Sequence, residues 1–226
     1  MSRKTYEERE NEIIDVAMQL FYKQTYEQTS IQDIIDTIGI AKGTFYHYFK
    51  SKEELLDAII QRTVMQASEQ VVNQSAFIEG NALDKLYGLF NQFTLFDLNN
   101  RDLFWELIEP LFSMDNLRLL YEMHEASVIY ITPILREIIQ QGVEEGVFNT
   151  PYIDEISVII MNMHADMFIR FGKSLLQYRD DPALPDRAIH AIEVHEHCVE
   201  RVLNAQPGTV RLFSKTLIRK FIQGDT

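Results

Sequence analysis

The stretch TSIQDIIDTIGIAKGTFYHYFKSKEELLDAII, residues 29–60, decides the fold. Within it Ile31, Ile34, Ile35 and Ile38 recur at helical period, preceded by Ser30 or Thr29 as the N-cap. Gly39 follows as a left-handed stop, so this helix is only about two turns long. Ile40 and Ala41 bridge to a second short helix, Lys42 to Phe49, whose inner face carries Phe45 and Phe49 four residues apart. Packing Ile34, Ile35 and Ile38 against Ile40, Phe45 and Phe49 leaves Lys42, Thr44, Tyr46 and His47 pointing outward. Two short helices around the tight turn Thr37–Ala41 read as a helix-turn-helix, the arrangement that lays a helix in the DNA major groove. Its first turn also offers backbone N–H groups to phosphate. Ser51 and Glu54, at capping-box spacing, then open a long helix through Leu55, Leu56, Ile59 and Ile60 toward Val72.

Outward from this unit the pattern stays helical. Thr5 and Glu8 have capping-box spacing ahead of Ile13, Ile14, Ala17, Leu20 and Phe21. After Gly80 and Asn81 come Leu83, Leu86, Tyr87, Phe90 and Phe93, then a short aromatic helix around Phe104 and Trp105. A periodic stretch from Asp115 to about Glu145 contains Pro133, which is expected to kink or break it. Thr150 and Pro151 are expected as cap and first-turn residues of a helix reaching about Tyr178. That helix is apolar on two faces, more than one core contact requires, so one face suits a second subunit. A helix from Asp186 to about Asn204 and a last basic helix complete the chain. With no strand pattern or repeat, the fold class is all-α. A helix-turn-helix domain occupies 1–50 and a larger helical regulatory and dimerisation domain occupies 51–226.

Composition agrees. The 226 residues are 46% hydrophobic, enough for a substantial core, and nine glycines and six prolines fall below the ~7% and ~5% of average usage. A single cysteine, Cys198, and no secretory leader pattern lead to the expectation of a cytoplasmic protein. Asn162, His164, Asp166 and Arg170 interrupt the best apolar run, which excludes a membrane-spanning helix. The net charge of −13 argues against nucleic acid only if charge is evenly spread. From Lys42 to Lys52 there are three basic residues and no acidic one.

The run Gly39-Ile40-Ala41-Lys42-Gly43-Thr44-Phe45-Tyr46-His47-Tyr48-Phe49, followed by Lys50-Ser51-Lys52-Glu53-Glu54-Leu55, resembles the DNA-binding region of the TetR family of bacterial transcriptional regulators. The resemblance covers about the first quarter of the chain; beyond it only the helical layout and weak cues such as Glu145-Gly146-Val147-Phe148 agree. It implies that Lys42, Gly43, Thr44, Tyr46 and His47 meet base edges or nearby phosphates, with Tyr48, Lys52 and the cap Thr29 on the DNA backbone. Lysine donates to guanine or phosphate, hydroxyls reach phosphate oxygens, and a missing side chain at Gly43 admits close main-chain approach. Tyr48 also reads as a core aromatic.

The resemblance further implies a small-molecule pocket between the later helices, lined by Phe93, Phe96, Trp105, Tyr121, His124, Met163, His164 and Met167. Each of these alone reads equally as ordinary core. His124 and His164 are the most informative, since a buried imidazole needs a partner. His190, Glu193 and His197 share one helix face near His195 and Cys198, but their spacing matches no established zinc pattern, and a solvated or subunit-facing surface is the simpler reading. No metal or cofactor is assigned. No Gly-rich phosphate loop, Gly-x-Ser-x-Gly elbow or His-Glu-x-x-His motif is present, so the chain is not read as an enzyme.

The expectation is a repressor that binds a near-palindromic operator as a homodimer and is released by a small-molecule inducer. One short recognition helix reads too few base pairs for a genomic search, and two-fold partners fit half-sites ~34 to 36 Å apart. The family's interface would correspond to the helices 150–178 and 186–204. The inducer would act by population shift, with the helix from Ser51 to Val72 transmitting the change. Two alternatives stay open: a DNA-binding protein of this fold without an inducer, and a helical ligand-binding protein or enzyme whose first helices only pack.

Overall fold

The computed structural model describes residues 5–73, 79–92 and 101–223, and these are helical with no strand. They form two compact units, Met1–Thr63 with Leu107–Met123, and Val64–Glu106 with His124–Thr226. The first unit therefore extends past residue 50 and takes in a segment from much later in the chain.

In the first unit, α1 (Tyr6–Gln24) starts at the expected capping box: the Glu8 N–H donates to the Thr5 hydroxyl while the Thr5 N–H donates to the Glu8 carboxylate. Ile13, Ile14, Ala17 and Phe21 form its buried stripe. α2 (Ile31–Ile38) is capped by Ser30, whose hydroxyl exchanges hydrogen bonds with Asp33 in a reciprocal box that the sequence reading overlooked. Thr29 is not the cap: it is buried, and its hydroxyl donates to the Thr25 carbonyl at 2.7 Å. Gly39 ends α2 at φ 75°, where a side chain would be strained. α3 (Lys42–Tyr48) follows, then α4 (Lys52–Val72).

One buried amide keys the late segment to the interior of this unit. The segment comprises the end of α6 (Arg101–Leu111), a 3-10 turn at Met114–Asn116 and the start of α7 (Leu117–Glu144). Asn116 is completely buried. It accepts from the Tyr26 N–H at 2.7 Å and donates to the Phe21 carbonyl at 3.3 Å and the Pro110 carbonyl at 2.9 Å. Phe21 lies in the last turn of α1, where carbonyls lack intrahelical donors, so Asn116 serves as a cap delivered from far along the chain.

α7 is continuous through Pro133, so of the kink or break expected there the break does not occur. The carbonyl that Pro133 leaves without a donor belongs to Ile129, which is 65% exposed, so water can replace the missing N–H.

The second unit contains α5 (Ala82–Gln92), the rest of α7, α8 (Ile153–Gln177), α9 (Leu184–Leu203) and α10 (Lys215–Gln223). α8 begins later than expected: the Thr150 hydroxyl accepts from the Tyr152 N–H, Tyr152 is the N-cap, and Pro151 stays outside the helix. Pro185 instead occupies the first turn of α9. Gly142 is required by packing, since a Cβ there would run into the Phe148 ring, while the N–H groups of Val147 and Phe148 close on the Gly142 carbonyl. On α9 the buried carboxylates of Glu196 and Glu200 accept from the N–H groups of Leu212 and Val210, tying an irregular strap to the helix. Lys215 bridges Glu193 and Glu196, and Arg219 bridges Asp186, fastening α10 behind it.

Replacing Asn116 by alanine leaves a buried N–H and two carbonyls short of partners and is expected to lower stability by about 1–3 kcal/mol in urea unfolding. Gln28→Ala, which removes only an exposed bond to Asp115, is expected to change it by less than about 0.5 kcal/mol.

Candidate functional site

The surface of α3 is set by its single buried residue. Phe45 is fully buried and packs on Phe49, and this one anchor turns Lys42, Gly43, Tyr46 and His47 to solvent, with Thr44 and Tyr48 half-buried. Tyr46 is 45% exposed. The sequence reading missed Tyr6, the first residue of α1, whose ring lies 4.5 Å from that of Tyr48 and 5.8 Å from that of His47. Tyr48 is thus neither core nor free; it is braced by Tyr6.

Gly43 differs from the other glycines discussed. It is helical, a Cβ would meet nothing within 4 Å, and its backbone lies outside the positive-φ region. Neither packing nor conformation demands glycine there, although glycine weakens a helix by about 0.5–1 kcal/mol relative to alanine.

Lys52 and Thr29 sit apart from the α3 surface residues. The Lys52 ammonium donates to the carbonyls of Tyr26 (2.8 Å) and Thr29 (3.0 Å) and lies 4.2 Å from the centre of the Tyr26 ring. Burial pushes the Tyr26 phenol up to about 12, so the ring stays uncharged beneath that cation. Lys52 clasps the start of α4 to the turn before α2, and Thr29 lies under the same clasp.

The eight pocket candidates fare unevenly. Phe93 and Phe96 lie outside the described residues. Tyr121 belongs to the first unit and is 59% exposed, so its outward position removes it from an interior pocket. Trp105 stacks on Phe221 and lies under the Arg179 guanidinium, with its indole nitrogen shielded and unpaired. His124 Nε2 meets the Asn162 side-chain oxygen at 2.9 Å. Met163, His164 and Met167 are half-buried on α8. His164 is ringed by Phe90 (4.7 Å), Phe213 (5.8 Å) and His195 (5.7 Å), the last a residue left out of the pocket set. Burial, with a smaller contribution from His195, pushes His164 down to about 3; burial pushes His195 down to about 4. Glu193 is engaged by Lys215, and no cluster of three metal-ligating side chains occurs among the described residues.

The model of "Bacterial regulatory proteins, tetR family" matches residues 13–59. The HTH-type transcriptional repressor KstR2 of Mycobacterium tuberculosis is 32% identical over 85 residues, a stretch covering 36% of this chain and 40% of that relative. The matched length is therefore well under half of that relative. Among solved structures, the fatty acid degradation regulator FadR of Bacillus halodurans is similar in fold, with TM-score 0.60 and 19% identity over 89% of this chain and 97% of that one. A TetR/AcrR-family regulator of Thermobifida fusca YX-ER1 has TM-score 0.53 and 26% identity over 87% of this chain and 97% of that one.

Folded His164 and His195 take up protons only far below the ordinary 6.5, so in mild acid the unfolded chain binds more protons than the folded one. Stability is expected to be full above pH 6.5 and to fall with pH below it, by about 1.4 kcal/mol per pH unit for each imidazole. Urea melts between about pH 7 and about pH 5 read this; a double His→Gln variant is expected to flatten the dependence.

Residues 13–59, which carry the helix-turn-helix built on Phe45, match the tetR family model, and the described residues share an all-helical fold with the TetR/AcrR-family regulator of Thermobifida fusca YX-ER1.

Proposed function

We propose that the protein is a sequence-specific DNA-binding transcriptional regulator, acting as a repressor that a small-molecule inducer releases from its operator. The observation that carries the reading is Gly43: an exposed helical glycine that nothing in the unbound chain requires. A partner surface brought against the α3 backbone accounts for it, and a major groove is such a surface. Lys42, Gly43, Thr44, Tyr46 and His47 then meet base edges and phosphates, with Tyr48, braced by Tyr6, on the DNA backbone. Lys52 and Thr29 support the same contact by holding the turn that aims α2 and α3. A repressor among the relatives favours repression over activation. The acidic remainder of the chain, net −13 overall, discourages non-specific binding.

The DNA-reading role falls to residues 1–50, and regulation and dimerisation to 51–226. Dimerisation through 150–178 and 186–204 is supported by apolar side chains that α8 and α9 leave outside the core: Val158, Ile159 and Val194, the last 50% exposed. His190 and His197 are exposed on α9, and Cys198 is half-buried. An inducer in the second unit would favour the dimer conformation whose recognition helices are misaligned with successive grooves. α4, which contributes to both units, is the connecting element. Among the described residues no helix is long and apolar enough to cross a membrane.

Fluorescence anisotropy on DNA upstream of the protein's own gene, beside a scrambled duplex, tests the reading. The expected result is specific binding with a steep salt slope, lowered at least tenfold (about 1.4 kcal/mol) by Tyr46→Ala. Gly43→Ala is expected to leave the fold equally or more stable while weakening operator binding. Equal, feeble binding to both duplexes overturns the assignment for that operator. Val194→Asp is expected to shift the protein toward monomer in light scattering and to weaken operator binding with it.

A further inference from the structure

Two buried imidazoles of the second unit have more hydrogen-bonding capacity than the chain uses. His164 Nδ1 and His195 Nε2 are shielded from solvent and have no hydrogen-bond partner. Each such atom costs about 1–3 kcal/mol if it stays unmet, and here two sit on rings 5.7 Å apart.

Burial along the two helices that flank them is uneven. Along the inward stripe of α8, Ser157 and Met161 are buried at one end and Phe171 and Leu175 at the other. Between them His164 retains accessible surface, although protein surrounds its ring closely enough to strip the imidazole of its charge. α7 repeats the pattern: Ile131, Leu135 and Ile138 are buried, whereas the preceding turns around His124 stay half-buried. Burial thus lapses on both helices in the turns that carry the imidazoles and resumes beyond them.

We propose that His164 and His195 form the polar end of a pocket inside the second unit that takes an uncharged, largely apolar molecule bearing a hydroxyl group. This rests on the reading of the second unit as a small-molecule sensor and deepens it. A neutral imidazole offers one N–H and one lone pair, and a hydroxyl answers both by accepting from one ring and donating to the other. Aromatic walls at Phe90 and Phe213 suit an apolar body. A carboxylate is disfavoured, since it would be desolvated beside rings that carry no positive charge near neutral pH. A metal ion is disfavoured too. The carboxylates next along α9, Glu196 and Glu200, are spent on Leu212, Val210 and Lys215.

Calorimetry on the full chain without DNA, with phenol and 1-hexanol against benzoate and hexanoate, tests the proposal, alongside histidine nitrogen resonances and a separate zinc titration. The expected result is that the alcohols bind, shift the His164 and His195 resonances and lose at least tenfold in affinity in His164→Phe. His195→Gln, which keeps a donor and an acceptor, is expected to retain most of the affinity; it also serves if His164→Phe does not fold. His190→Phe, at an exposed position, is expected to change nothing. Tighter binding of the carboxylates, zinc capture by the pair, or no binding by any alcohol overturns the proposal. With the anisotropy assay on operator DNA run beside it, alcohol binding without operator release would sink the inducer switch and leave this pocket standing.

Discussion

The backbone of one turn, Thr25 to Thr29, is the point on which the helix-turn-helix depends. The turn follows α1 and leads into the Ser30 cap of α2, so its path sets the direction of the whole helix-turn-helix. Thr25 sits at φ 72°, an unfavourable region for a β-branched residue. Two side chains from elsewhere and one of its own hold it there. Asn116 takes the Tyr26 N–H, Lys52 takes the carbonyls of Tyr26 and Thr29, and the Thr29 hydroxyl closes on Thr25. Backbone groups that a buried turn would otherwise leave unpaired are thereby satisfied.

The same amide joins distant parts of the sequence into one unit. Asn116 lies 90 residues from Tyr26 and 95 from Phe21, yet it completes the end of α1. Lys52 shows how a residue of basic character in a DNA-binding stretch serves the fold: its charge sits over a neutral phenol and its protons face two carbonyls. Gly43 is the opposite case. It is exposed on α3, and a side chain there would meet nothing in the described chain.

Much of the first unit was legible from residue order. The Thr5–Glu8 box, the α2 stripe, the Gly39 stop and the exposed face of α3 all rest on interactions within four or five residues, which pattern and capping chemistry describe directly. The Ser30–Asp33 box escaped because aspartate replaces the usual glutamate at its third position. The bounds of α8 slipped because Thr150 spends its hydroxyl on Tyr152 before the helix begins. Pro133 is tolerated inside α7 where Ile129, whose carbonyl it leaves without a donor, is exposed enough for water to replace the missing N–H. Burial in the second half of the sequence was least legible: Tyr121 has a core residue's chemistry and an outward position, while His195 has a surface residue's chemistry and an inward one.

By itself the sequence determined an all-helical chain with a helix-turn-helix near its start, the anchor Phe45, and a short basic surface in an acidic protein. These follow from hydrophobic period, turn glycines and local caps, which need no knowledge of what lies across the core. Only the tertiary structure decided that residues 107–123 belong with the first unit, that Lys52 and Thr29 clasp a turn, and that His164 meets His195 in a shielded space. Those outcomes depend on which distant groups come within hydrogen-bonding range once the core closes. Burial then sets the charge of an imidazole more strongly than its neighbours in sequence do.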